Sequence, residues 1–173
     1  QESLNLASVL NLPVLFVCEN NLYSSHLDIQ LRQSCDRVSR FADAHHIEAR
    51  VVDGNDVLAV AKATEELLKR ARAGEGPGFL EAITYRWRGH VGPDENIDVG
   101  VRRHKEDLAA WKKRDPIRRL VEGMEKEKLL EKNEFEKIEK GIRAFVTKAK
   151  DDALEAPYPE QSALLDLVYS EKK

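Results

Sequence analysis

Five strand-forming residues in a row, Val14, Leu15, Phe16, Val17 and Cys18, run without polar alternation and stop in Glu19-Asn20-Asn21-Leu22-Tyr23. A strand with one wet face alternates apolar and polar residues, whereas one covered on both faces does not. The run therefore predicts a buried strand of a parallel sheet in an α/β domain. Ligands of such sheets gather at the carboxyl ends of the strands. Two adjacent asparagines there offer neutral amide oxygens beside turning backbone carbonyls, donors suited to a hard cation such as Mg²⁺.

The rest of the first hundred residues keeps strand and helix in alternation. Residues 3–10 carry an amphipathic pattern (Leu4, Ala7, Leu10) that starts without a convincing cap. Asp36 to His46 reads as a short helix, and Glu48-Ala49-Arg50-Val51-Val52 as a second strand closed by Asp53-Gly54. Asn55 or Asp56 can cap a helix whose apolar positions Val57, Val60, Ala61, Thr64, Leu67, Leu68 and Ala71 recur at helical spacing, with Gly74 as its stop. Gly76-Pro77-Gly78 breaks the chain before a third strand, Phe79 to Tyr85. Strands joined through helices imply right-handed crossovers and a parallel sheet.

Past His90 the character changes. Val91 to Gly100 has the composition of a loop, and it follows a strand end, where functional loops concentrate. Helices are expected from Glu106 to Lys113 and after Asp115-Pro116, a cap followed by a first-turn proline, with Ile117, Leu120, Val121 and Met124 on one side. Asn133 with Glu136 reads as a capping box ahead of a one-sided stripe, Phe135, Ile138, Ile142, Phe145 and Ala149. Lys126 to Lys140 is expected to be a solvated charged face. The chain thus divides into an α/β part, residues 1–104, and a helical tail, residues 105–173.

Composition removes several function classes. With 28 basic against 31 acidic residues and a net charge of -3, the chain lacks the basic face that nucleic-acid binding needs. The longest apolar run, Leu12 to Cys18, is too short to cross a bilayer, and no signal-peptide pattern opens the chain. A cytoplasmic protein is expected, or a matrix-facing one if a transit segment was removed. Cys18 and Cys35 have no C-x-x-C spacing and read as structural thiols.

Three segments in order, Glu2-Ser3-Leu4-Asn5, Asn20-Asn21 with Tyr23 two residues on, and Thr84-Tyr85-Arg86-Trp87-Arg88-Gly89-His90, together with the ending Ala156-Pro157-Tyr158-Pro159, carry a likeness over nearly the whole chain. Together they resemble the alpha subunit of the thiamine diphosphate-dependent 2-oxo acid dehydrogenases, the family of the pyruvate, branched-chain 2-oxo acid and acetoin enzymes. In that family the cofactor signature opens with Gly-Asp-Gly, whose spacing places it about ten residues before Gln1, and closes with Asn-Asn. The chain is accordingly expected to be the carboxyl-terminal half of an alpha subunit, with an incomplete parallel-sheet thiamine diphosphate-binding fold in residues 1–104.

The resemblance implies a site. Of the family's three protein oxygens on Mg²⁺, the Asp of Gly-Asp-Gly has no counterpart here, while the second Asn and the backbone carbonyl two residues later map to Asn21 and Tyr23. Asn20 is expected to brace the turn. Arg86 is expected to contact the diphosphate, and His90 to stand near the thiazolium as the catalytic, cofactor-binding histidine. Arg103 is a weaker candidate for ordering the loop, and His26, His45, His46 and His104 are read as structural or solvated. The implied cofactors are thiamine diphosphate and Mg²⁺. The implied partner is the beta subunit, in a heterotetramer, which supplies the glutamate that activates the aminopyrimidine; an acyltransferase core of a multienzyme complex is a further possible partner. Val91 stands where kinase-controlled members have a serine, which points to a bacterial type. The competing reading is a catalytically silent assembly module on the same fold.

Overall fold

The computed structural model describes residues 1–35, 37–92 and 105–166. Helix α1 (Glu2–Val9) precedes strand β1 (Leu15–Asn20), a small hairpin of β2 (Tyr23–Ser24) and β3 (Leu27–Asp28), and the short helices α2 (Ile29–Arg32) and α3 (Arg40–Asp43). Strand β4 (Glu48–Asp53), helix α4 (Val57–Arg72) and strand β5 (Gly78–Ile83) complete the sheet. Helices α5 (Lys105–Lys112), α6 (Pro116–Lys126) and α7 (Lys132–Glu155) and a 3₁₀ turn (Gln161–Leu165) follow. The compact units are Gln1–Gly123 and Met124–Lys173, so the first runs past the change of composition at residue 104.

The main sheet is parallel, in the order β1-β5-β4, as the alternation of strands and helices predicts. Its last register row aligns Asn20, Ile83 and Asp53. That row is the carboxyl edge, and it sets the position of every candidate site residue of the strand ends.

Each face of the sheet is covered by a different helix set. Ala63 and Leu67 of α4 pack on Leu80, with Leu15, Val52 and Val60 around them. The opposite face carries Leu4, Ala42, Ile47 and Phe79 with Phe16, Cys18, Val38 and Phe41. Asp56, of the two residues expected to cap α4, does so: its Oδ1 accepts the Leu58 and Ala59 N–H groups at 3.1 and 3.0 Å. At the far end Gly74 takes φ +80°, which glycine enters without a Cβ penalty, and the Glu75 N–H returns to the Arg70 carbonyl at 3.1 Å.

Several expectations shift. The strand read as covered on both faces, β1, leaves Val17 60% exposed, because among the described residues β1 pairs only with β5 and α4 lies chiefly over β4 and β5. Strand β5 is the one with both faces buried. It starts at Gly78 and ends at Ile83, two residues short of Tyr85. The helix expected over Asp36–His46 contracts to α3, since the Val38 and Ser39 N–H groups go to the Glu81 carboxylate and His46, at φ +56°, lets Ile47 N–H close onto the Ala42 carbonyl. The cap of α7 lies at Glu131 and Glu134, with the Glu131 N–H donating to Glu134 Oε2 at 2.9 Å, instead of at Asn133 and Glu136. The chain turns at Lys128 (φ +58°) to close α6, with the Leu129 N–H returning to the Met124 carbonyl at 2.8 Å, and Glu131, in an extended conformation, opens the next helix.

The start of α6 is as expected, with Asp115 Oδ1 accepting the Ile117 N–H at 2.8 Å behind Pro116. The hairpin β2–β3 has no counterpart in the sequence reading, because two-residue strands carry no measurable periodicity. Asp28 then caps α2, accepting the Gln30 N–H at 2.8 Å. No helix among the described residues is long and apolar enough to cross a membrane.

Candidate functional site

The two adjacent asparagines have different positions and partners. Asn20 is the last residue of β1 and is buried. Its Nδ2 donates to Glu81 Oε1 at 2.7 Å, and its Oδ1 accepts the Leu22 N–H at 3.1 Å. Asn21 lies outside the strand, where its Oδ1 accepts the Tyr23 N–H at 3.0 Å. These two side chain-to-backbone bonds shape a turn in which Leu22 takes φ +67°, a left-handed conformation that a branched side chain adopts only when its surroundings fix it.

The hairpin sets the direction of the Tyr23 carbonyl. Ile29 N–H donates to the Leu22 carbonyl at 2.8 Å, and Tyr23 stands opposite Asp28. Hydrogen-bonded and non-bonded pairs alternate along an antiparallel ladder, so Tyr23–Asp28 is a non-bonded pair and the Tyr23 carbonyl points away from β3. The Tyr23 ring meets Tyr85 edge-on at 5.8 Å, and Tyr85 in turn stacks on Trp111 at 5.7 Å. Burial first, then the neighbouring Tyr85 and Asp28, hold the Tyr23 phenol above its ordinary range, so it stays protonated.

Beyond β5 the chain is tied back to the end of β1 by the Thr84 N–H, which donates to the Asn20 carbonyl at 2.9 Å. Arg86 follows and works as a clasp. Its Nη2 donates to the Ser25 carbonyl at the hairpin tip at 2.7 Å, its Nε to the Arg88 carbonyl at 3.0 Å, and its Nη1 lies 3.3 Å from His90 Nδ1. A guanidinium only donates, so in this contact Nδ1 is the acceptor and a neutral His90 ring carries its proton on Nε2. The clasp therefore fixes both the place of the imidazole and its tautomer. His26, read from the sequence as structural or solvated, sits beside it: the rings are 5.8 Å apart and edge-on, and Ser25 Oγ holds His26 Nδ1 at 2.6 Å.

On the other side of the carboxyl edge Asp53 accepts from Arg114 Nη2 and Arg119 Nη1, each at 2.9 Å, and from the Asn55 N–H. Burial acts to raise the Asp53 pKa, but hydrogen bonds from Arg114, Asn55 and Arg119 outweigh it and hold the carboxyl below its usual range. Asn55 bridges Thr84 Oγ1, at 2.7 Å, and the Arg114 carbonyl, at 2.9 Å. The α5–α6 segment is thus anchored to the strand ends through charge and amide contacts.

Sequence comparison places this arrangement in a family. The model of the dehydrogenase E1 component matches residues 1–162. The chain belongs to that family. It is 36% identical over 168 residues to the alpha subunit of acetoin:2,6-dichlorophenolindophenol oxidoreductase of Bacillus subtilis (strain 168), covering 97% of this chain and 49% of that one. It is 34% identical to the 2-oxoisovalerate dehydrogenase subunit alpha of the same bacterium, covering 98% and 50%. It is 32% identical to the pyruvate dehydrogenase E1 component subunit alpha of Porphyra purpurea, covering 98% and 48%. The chain spans about half the length of these curated relatives.

Within this E1 component chain, the oxygen donors at the turn fit a hard cation: a neutral amide with a second lone pair at Asn21 Oδ1 and a carbonyl turned out of its ladder at Tyr23. Among the described residues no group of three or more His, Cys, Asp or Glu could hold a metal ion. Arg103 and His104 lie outside the described residues. Glu81, which the sequence reading passed over, is 0% exposed and takes part in the Asn20 network. Its signal was a lone carboxylate inside the apolar strand Phe79-Leu80-Glu81-Ala82-Ile83, since a buried charge in a strand interior requires partners.

Proposed function

We propose that this chain forms the Mg-diphosphate side of a thiamine diphosphate-dependent 2-oxo acid or acetoin dehydrogenase, as part of its alpha subunit. The carrying observation is the convergence of the Asn21–Tyr23 turn and the Arg86–His90 clasp, joined through the Ser25 carbonyl. Asn21 Oδ1 and the Tyr23 carbonyl offer two oxygens to Mg²⁺. Arg86 opposes the diphosphate charge while holding His90, and His90 presents its Nε2–H as a donor and a proton carrier near the reacting centre. Thiamine diphosphate, when bound, supplies the electron sink for the carbanion left by decarboxylation.

The beta subunit of the same enzyme is the proposed partner, contributing the activating glutamate, with an acyltransferase core as the next component and the cytoplasm as the location. On this reading the chain alone has no turnover. Calorimetric titration of Mg²⁺ and thiamine diphosphate into the alpha–beta enzyme carrying these residues tests it. Asn21→Ala should weaken both ligands together, and Arg86→Ala should chiefly weaken the diphosphate cofactor. His90→Ala should lower turnover by about 10² to 10⁴ with cofactor affinity nearly kept. Binding unaffected by Asn21→Ala and Arg86→Ala alike would remove the reading.

A further inference from the structure

Glu81 has no place in the roles given above, yet it is the most enclosed polar residue of the sheet. Its Oε2 accepts the Ser39 N–H at 2.7 Å, both oxygens accept the Val38 N–H at 3.0 Å, and Oε1 accepts Asn20 Nδ2 at 2.7 Å. Every one of these partners is a donor, which is what an ionised carboxylate, able only to accept, requires. From this geometry we infer that Glu81 is a positioning residue that fixes the orientation of the Asn20 amide and, through it, the turn that presents Asn21 and Tyr23.

The logic is one of hydrogen-bond polarity. An asparagine amide fits its site in two orientations that differ by exchange of oxygen and nitrogen. Because Glu81 only accepts, Nδ2 must face it, and Oδ1 is left facing the Leu22 N–H. That bond holds Leu22 at φ +67° and so sets where Asn21 and Tyr23 stand. Glu81 is also tied to the start of α3 through Val38 and Ser39, so the turn is referenced to a packed element instead of to solvent.

Glu81→Gln changes polarity with almost no change in shape. The new amide must turn its oxygen to the Val38 and Ser39 donors, which places its NH₂ against Asn20. Asn20 then has to flip, and its own NH₂ meets the Leu22 N–H, donor against donor. Asn20→Asp alone sets two carboxylates at hydrogen-bond distance in a buried site, where they repel. Combining E81Q with N20D restores complementarity, because the introduced glutamine donates to the introduced aspartate, which still accepts from Leu22 N–H.

The importance of this arrangement for cofactor binding rests on the function proposed above, whereas its structural core does not, so two measurements separate them. Amide hydrogen exchange at Leu22 in the 173-residue chain needs no cofactor. E81Q and N20D should each speed that exchange by roughly tenfold or more, from the loss of a charge-assisted bond, and the double variant should return toward the wild-type rate. In the assembled enzyme, E81Q should weaken Mg²⁺–thiamine diphosphate affinity by a similar factor, with the double variant regaining most of it. If neither single variant folds, a folded double variant with a protected Leu22 N–H still supports the inference. It is overturned by an E81Q chain with unchanged Leu22 exchange, or by a double variant that is unfolded or exchanges like the worse single one. An E81Q enzyme that binds the cofactor as wild type does, with Leu22 exchange accelerated as stated, shows that the turn does not hold the cofactor and defeats the proposed function, while the positioning of the turn by Glu81 stands. A wild-type enzyme that fails to bind Mg²⁺ and thiamine diphosphate, with the exchange pattern intact, defeats the proposed function alone.

Discussion

Strand β5 and helix α7 both carry runs of apolar residues in the sequence, yet they meet opposite fates. Leu80 of β5 is 1% exposed, with α4 on its face of the sheet, and Glu81 beside it finds its donors within the same compact unit. Helix α7 is longer, 24 residues, and its stripe stays open, with Ile142 58% and Phe145 73% exposed. Apolar spacing alone does not bury a side chain; it requires a second element at the right height. In β5 neighbouring strands and α4 supply it. Helix α7, in the other unit, is braced along its own surface by i,i+4 pairs such as Arg143–Glu139 and Lys148–Asp152, exposed contacts worth about a few tenths of a kcal/mol each.

The contrast is broken most directly at Leu80. Leu80→Ala should cost about 2–5 kcal/mol through lost burial and the cavity left behind, read as a drop in the urea midpoint followed by tryptophan fluorescence. Both tryptophans, Trp87 and Trp111, lie in the first unit, so this signal reports that unit alone. If the two units differ as described, far-UV circular dichroism, which also reads α7, should not superimpose on the fluorescence transition. Coincident curves for wild type would erase the distinction.

Gly54→Ala should be the next largest effect, about 1–3 kcal/mol, since overpacking at a rigid site has that cost. A Cβ there would come 2.9 Å from the Ile83 carbonyl oxygen, which already accepts the Gly54 N–H at 2.7 Å. A wild-type midpoint for this variant would show that the edge between β4 and β5 is softer than its contacts indicate.

Asp53 sharpens the comparison through pH. Its folded pKa is depressed, so its contribution to stability is fully present above the unfolded value near 3.9 and is lost as pH falls through the folded value. Asp53→Asn should therefore lower stability at neutral pH by a modest amount, because Arg114 and Arg119 are partly solvated, and the gap to wild type should close as the solution is acidified below about pH 4. A gap that persists at low pH assigns the loss to packing. Ile142→Ala in α7 should change the melting curve least, within about 0.5 kcal/mol, as befits an exposed position. A loss comparable to that of Leu80→Ala would mean that the α7 stripe is buried in solution.

Much of the first unit could be read in advance. The Val57–Ala71 periodicity, the Gly74 stop and the Asp115-Pro116 start are local signals, written within a few residues of the feature they produce. The hairpin Tyr23–Asp28 could not be read this way, because its two-residue strands are selected by the turn before them and by Arg86 reaching Ser25 from 61 residues away. The cap of α7 lies two residues before Asn133, where the sequence places it, since glutamate at Glu131 is a weaker capping signal than asparagine and the chain reverses at Lys128 ahead of it.

By itself the sequence determined the α/β alternation, the parallel sheet and the residues that carry the family likeness, because periodicity, turn chemistry and motif spacing are properties of neighbours along the chain. It also placed Asn20-Asn21 at a strand end. Tertiary structure alone decided that Asn20 faces inward to Glu81 while Asn21 faces the turn, that Arg86 takes His90 Nδ1 as its partner, and that β5 instead of β1 is the strand covered on both faces. The physical reason is common to all three. Hydrogen-bond polarity and burial are settled by groups that meet only after the crossovers bring the ends of β1, β4 and β5 into one register row.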